Sequence, residues 1–276
     1  MASGSEVDLG LFGPDSVSWR VHAEPILWVA GLRALYLQSL HPRAIAGVVQ
    51  NSDYRNDPWG RLMRTAEYVG TVVYGTTDDA RRAGARIRGL HARLRARDPE
   101  TGEEFRIDEP ELLRWVHVTE VESFVATARR AGLALSDSDV DRYLAEQSAA
   151  AELVGLEPAS VPQSMTEVEA YYEDVRPDLA LTQPAINVAR FLAVPPLPYK
   201  LGWTPVRPAW VAIAAMGFGL LPRWARRLYR LPGLPTTDLA ATLTVKASRR
   251  AVAMLPAAQG PIYTDAMRRA EVAAKV

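Results

Sequence analysis

Along most of the chain, apolar side chains recur every three to four positions, the spacing of a helix with one buried face. The stretch "SWRVHAEPILWVAGLRALYLQSL" shows it first, with Pro25 placed where a helix starts or kinks. "HPRAIAGVVQNS" predicts a short helix closed by the turn-forming "NSDYRNDP", and "WGRLMRTAEYVGTVVYG" predicts a longer one. "TTDDARRAGARIRGLHARLRAR" opens with the Thr and Asp residues that suit a helix N-terminus, and one stripe of it carries Ala80, Gly84, Ile87, His91 and Leu94. The polar "DPETGEEFRID" reads as a hairpin or loop. "EPELLRWVHVTEVESFVATARRAG" begins with Pro110, which a first helical turn tolerates, and ends at Gly132. "LSDSDVDRYLAEQSAAAELVGL" and "SMTEVEAYYEDVRPDL" each start on a cap residue, and Ser164 and Glu167 have capping-box spacing. Convincing period-two strands and internal repeats are missing. The expectation is an all-α protein, with a flexible stretch at 1–10 and one helical domain over 11–276.

The texture changes toward the C-terminus. Twelve of the 20 prolines lie between Pro158 and Pro235, including "VPPLP" at 194–198, which predicts short helices joined by rigid turns. The longest apolar run, "AWVAIAAMGFGLL" from Ala209 to Leu221, has 13 residues. A bilayer span needs about 20, so a buried core helix is expected there. An interfacial segment is the alternative, because "PRWARRLYR" follows with four arginines and two amphipathic aromatics, and it would give a peripheral membrane contact.

Composition narrows the chemistry. With 48% hydrophobic and 23% charged residues the chain has the make-up of a globular protein, and a globule of 276 residues, with a radius of gyration of roughly 19 Å, can enclose a cofactor. The 32 basic and 32 acidic residues cancel, and arginines outnumber lysines 29 to 3, so no global field draws the chain to nucleic acid. The absence of cysteine removes disulfides, Fe–S clusters, thiolate zinc sites and covalently attached haem. No signal-peptide pattern opens the sequence, and a cytoplasmic location is expected.

Only four histidines are present, His22, His41, His91 and His117, so any imidazole chemistry comes from the first 117 residues. H-E-x-x-H, Glu-x-x-His, G-x-S-x-G, the P-loop and G-x-G-x-x-G are all absent. His91 lies on its helix's inward stripe, and His117 shares a face with Leu113, Val121 and Phe124. Each is a hydrogen-bonded core residue or a ligand. Left without any partner, a buried imidazole costs about 1–3 kcal/mol. His41, before Pro42 at a helix boundary, suits a capping role, and His22 is given none. Arg61, Arg64 and Thr65 stand at i, i+3 and i+4, a face of two guanidiniums and a hydroxyl that suits an anionic ligand or a solvated surface.

In this order, "LYLQSLHPRAIAGVVQNSDYRNDPWGRLMRTAEYV", "YGTTDDARRAGARIRGLHARL" and "ELLRWVHVTEVESF" resemble the bacterial branch of the MpaB and latex-clearing-protein oxygenase family, from about residue 10 to 255. The resemblance implies a globin-like helical core around a non-covalent b-type haem. It makes His91 the axial iron ligand, with His117 a supporting or alternative ligand. Arg61 and Thr65 become cofactor-binding residues, with Arg61 toward the haem propionates. Arg64 and Thr65 become catalytic, Arg64 standing where rubber-cleaving members carry a lysine. Those members also use a glutamate just before the arginine motif, and no glutamate lies between His41 and Arg64 here, only Asp53 and Asp57. The resemblance therefore points to a small alkene or prenyl-like substrate and O2 rather than polyisoprene. Two other readings remain: a haem-binding or haem-sensing protein without turnover, and a cofactor-free helical interaction protein.

Overall fold

Pro25 falls in a break, so the first apolar stretch folds as two helices, α1 (Val17–His22) and α2 (Leu27–Gln38). The computed structural model describes residues 7–53, 56–195, 206–254 and 260–275. Most of the expected flexible N-terminus, two residues of the "NSDYRNDP" turn and residues 196–198 of "VPPLP" lie outside the described residues. Next come α3 (Pro42–Asn51) and α4 (Pro58–Tyr74), each with proline in the first turn, where a missing N–H breaks no helical bond. α5 (Thr77–His91) opens on a capping box in which the Thr76 hydroxyl accepts from the Asp79 amide and the Asp79 carboxylate accepts from the Thr76 amide. The Asp8 carboxylate, in the stretch expected to be flexible, accepts from the amide and hydroxyl of Thr77.

The remaining helices are α6 (Pro110–Arg130), α7 (Asp137–Leu153), α8 (Met165–Val175), α9 (Gln183–Ala193), α10 (Val206–Gly219), α11 (Arg223–Leu228), α12 (Pro235–Ala253) and α13 (Pro261–Ala273). The fold is all-α, as the periodicity implies. Among the described residues its one sheet is a short antiparallel pair, β1 (Arg95–Arg97) and β2 (Glu104–Arg106), with Ala96 opposite Phe105. No helix among the described residues is long and apolar enough to cross a membrane.

Two local expectations change. α5 stops at His91, and the last arginines of its run form β1 instead of another helical turn. Tertiary contacts decide this: Gln50 on α3 bonds both the amide and carbonyl of Arg97, Asn51 donates to the Arg95 carbonyl, and Ala96 and Phe105 bury against Ala46 and Leu112. Leu94 therefore leaves the stripe it shares with His91 on an ideal helix. The second change is α10. Ala214, Gly217, Leu220 and Leu221 are buried, while Ala209, Val211, Ala212 and Ala215 are exposed, so the 13-residue apolar run belongs to the core on one side only.

α6 is the axis of the core. It packs most extensively on α2, and its Trp115, Val118, Val121 and Val125 are buried. The link between these two helices is ionic. Arg33 on α2 forks onto Glu122 on α6 through bonds of 2.6 and 2.9 Å, with both side chains almost fully buried. Arg33 also donates to the Leu220 carbonyl at 3.0 Å, and the Tyr172 hydroxyl of α8 donates to Glu122 at 3.1 Å. A buried pair so completely bonded becomes costly when halved, since the survivor keeps its charge without a partner. Glu122→Ala is therefore expected to lower unfolding free energy by about 3–5 kcal/mol in a urea titration. The apolar pair Arg33→Met with Glu122→Leu should recover most of that loss, and an unchanged midpoint for Glu122→Ala would contradict the assignment.

Candidate functional site

α4 and α5 pack on each other, α4 on α1 and α5 on α7. A Cβ at Gly84 would stand 2.7 Å from the Leu153 carbonyl, so glycine lets α5 press against α7. Arg88, one turn on, donates to the same carbonyl at 2.5 Å.

Val116, His117 and Glu120 keep exposed surface on a helix whose other faces are covered by α1, α2, α3, α7 and α12. Burial nevertheless pushes the Glu120 carboxyl up to about 7 and the His117 imidazole down to about 4. Neither side chain has a hydrogen bond or ion pair with a described residue, so at neutral pH His117 is an uncharged imidazole with free nitrogens.

Tyr68 of α4 lies close enough to feel the Glu120 charge. Burial raises its phenol to about 12, with the Glu120 charge adding to the rise and Arg88 opposing it. Tyr143 of α7 also feels Glu120 and shares a 3.1 Å hydrogen bond with His22, whose ring lies 4.9 Å from Phe124. His22 thus has a structural place against Tyr143 and Phe124, and burial holds it down to about 3.

His91 ends α5 beside the segment that leads into α6. Its Nδ1 is buried and has no hydrogen-bond partner. Burial lowers its pKa, against a smaller opposing effect of Asp108, which favours the neutral, ligating form. On α4, Arg61 and Thr65 share a stripe with Tyr68, and Arg64 stands one turn before it. Arg61 is half-buried and donates to the Ser52 hydroxyl. Arg64, 66% exposed, pairs with Asp57 at 3.0 Å, and the exposed Thr65 hydroxyl donates to the Arg61 carbonyl at 3.1 Å. The cationic motif therefore stands in the exposed first turns of α4. His41 acts as foreseen: it is the N-cap of α3, its Nδ1 accepting from the Ala44 amide at 3.4 Å.

Glu120 is the residue that the sequence reading misses. The signal was present, since Glu120 follows His117 by three positions and so lies on the same face of α6, but the search for an acid covered only the segment before the arginine motif.

These residues fit a haem. His91 offers an orphaned, buried Nδ1, His117 a neutral imidazole, and Arg61 and Arg64 offer guanidiniums with which propionates could pair.

Compared with known proteins, residues 19–255 match the family model described as ER-bound oxygenase mpaB/B'/Rubber oxygenase, catalytic domain. No curated protein and no solved structure matches the chain.

The unusual Glu120 carboxyl gives a pH test. Its folded pKa lies above the ordinary 4.5, so its contribution to stability is complete below about 4.5 and is lost as pH rises through about 7. His117 acts in the opposite sense, its contribution being present above 6.5 and lost as pH falls toward about 4. Comparing Glu120→Gln with the parent isolates the carboxyl. The variant should gain stability relative to the parent between about pH 5 and about pH 8, by on the order of 1–3 kcal/mol in urea titrations. A difference independent of pH would show that Glu120 is solvated in the ordinary way.

Proposed function

Because the chain belongs to the ER-bound oxygenase mpaB/B'/Rubber oxygenase catalytic-domain family, we propose that it is a haem-b oxygenase that oxidises a small apolar substrate, alkene or prenyl-like, with O2. The observation that supports the reading is the orphaned, buried Nδ1 of His91, together with the neutral, unpartnered ring of His117 on α6. A haem bound there would supply the activation of O2. What the chain's own residues do follows from their placement.

His91 would hold the iron of such a haem, and His117 would support it or take its place. Both are neutral at physiological pH, so neither must lose a proton before it binds iron. Arg61 and Thr65 bind the cofactor's polar edge, Arg61 through a charge-assisted bond to a propionate. Arg64 and Thr65 serve the reacting side. An arginine stays protonated and cannot ligate iron, so Arg64 orients an anionic or polar group instead. Glu120 supplies the acid–base group that the segment before Arg61 lacks: a carboxyl raised to about 7 holds a proton on its oxygen part of the time at neutral pH and can give it up or take it back. Val116, on the same side of α6 as Glu120, favours an apolar substrate over a charged one.

Purified protein supplied with haem should show a Soret band, and His91→Ala should lose most of its haem while keeping its far-ultraviolet circular dichroism. His117→Ala should retain haem with a shifted spectrum. Oxygen uptake on addition of a small alkene separates an oxygenase from a protein that only binds or senses haem. A His91→Ala variant with full haem content would overturn the ligand assignment, and the absence of any Soret band under ample haem would overturn the reading as a whole.

A further inference from the structure

Charge is segregated along this chain although its total is zero. Between residues 179 and 264 a single acidic residue, Asp238, faces ten basic ones, a net of +9. Even Asp238 is occupied, since Arg223 bonds one of its oxygens at 2.6 Å and the buried Arg226 bonds the other. The rest of the chain is correspondingly acidic, which is why the bulk composition hides the asymmetry.

The same third of the chain carries apolar surface that points away from the core. On α12, Ala241 and Val245 are buried with Ile26, Val29 and Leu220. On the opposite side of that helix, Leu239 and Leu243 are 61% and 59% exposed, and the exposed Lys246 and Arg250 continue their stripe. Met254, just past the helix, is 84% exposed. α10 packs on α12 through Ile213 and Met216, and its outward side is the uncharged Val211, Ala212 and Ala215. The segment leading into α12 adds the half-exposed Leu231 and Leu234, with Arg227 and Arg230 beside them. Leucines alternating with cations, and no free acid among them, form the pattern of a helix that lies in a lipid headgroup layer.

We propose that the outer face of α12, together with α10 and the segment before α12, docks on the surface of an anionic phospholipid bilayer, its leucines entering the headgroup layer and its lysine and arginines pairing with lipid phosphates. Charge selects this occupant. A second copy of the chain, meeting this face through a two-fold axis, would bring the same excess of cations against itself. A bilayer of anionic lipid brings the opposite charge. No helix among the described residues can span, so the contact is peripheral. The proposal does not depend on the haem reading.

The test is sedimentation of the purified full chain with vesicles of equal parts phosphatidylglycerol and phosphatidylcholine, and with vesicles of phosphatidylcholine alone. The parent should bind the anionic vesicles at least about tenfold more tightly than the neutral ones, and less tightly as salt is raised. Leu239→Glu with Leu243→Glu should weaken binding by about tenfold or more, and Lys246→Glu with Arg250→Glu should do the same. All four positions are solvent-exposed, so circular dichroism and thermal midpoint should stay unchanged, and the charge-reversed pair decides the matter should the leucine pair disturb folding. No binding to anionic vesicles, equal binding to both vesicle types, or charge-reversed variants that bind like the parent would overturn the proposal. So would a dimer in solution that the leucine pair dissociates, because the face would then belong to a second copy.

Discussion

The Arg33–Glu122 pair is the constraint on which the arrangement rests. Two charges taken out of water at the centre of a helical core must be held by complete hydrogen bonding, and here α2, α6, α8 and the end of α10 all contribute to it. The pair fixes the rotation of α6 about its own axis. With Glu122 turned toward Arg33, His117 and Glu120 must turn toward α4 and α5. Two carboxyls two residues apart thus meet opposite surroundings. Glu122 is held by a guanidinium and a phenol, whereas Glu120 has no partner and is pushed toward neutrality by desolvation alone. The chain accepts an uncompensated buried acid beside a neutral imidazole, and such pairings concentrate where chemistry is done.

Much of this was legible in the sequence for local reasons. Helix starts were readable because caps and first-turn prolines act within four residues: the Thr76–Asp79 box, Ser164, Pro110 and the His41 cap of α3 are contacts between near neighbours. What failed depended on distant parts of the chain. The arginine run after His91 has helical periodicity, yet Gln50 and Asn51 recruit it into a strand. The run from Ala209 to Leu221 looks like core because it is apolar, but periodicity cannot say that its outer side lacks a covering layer. The ion pair joins residues 89 apart, and nothing local distinguishes Arg33 from the exposed arginines. Of the candidate site, His91 and His117 stand out in the sequence because each shares a helical stripe with apolar residues, whereas Glu120 reads as one more acid among the many until its burial is seen.

Surface and interior complement each other chemically. Inside the fold, α6 carries the neutral His117 imidazole and the Glu120 carboxyl, with Tyr68 of α4 close enough to feel the Glu120 charge. The far side of the fold, through α10 and α12, presents leucines among cations. An oxygenase whose substrate is an alkene or prenyl chain has reason to sit where such molecules dissolve. The two features rest on separate residues and can fail separately.

The central claim, that the imidazole ending α5 would hold the iron of a bound haem, is tested most directly by resonance Raman spectroscopy of the reduced, haem-loaded protein. The account predicts an iron–imidazole stretching band in the parent that disappears in His91→Ala and returns when free imidazole is added to that variant. A band that survives His91→Ala and vanishes in His117→Ala would contradict it.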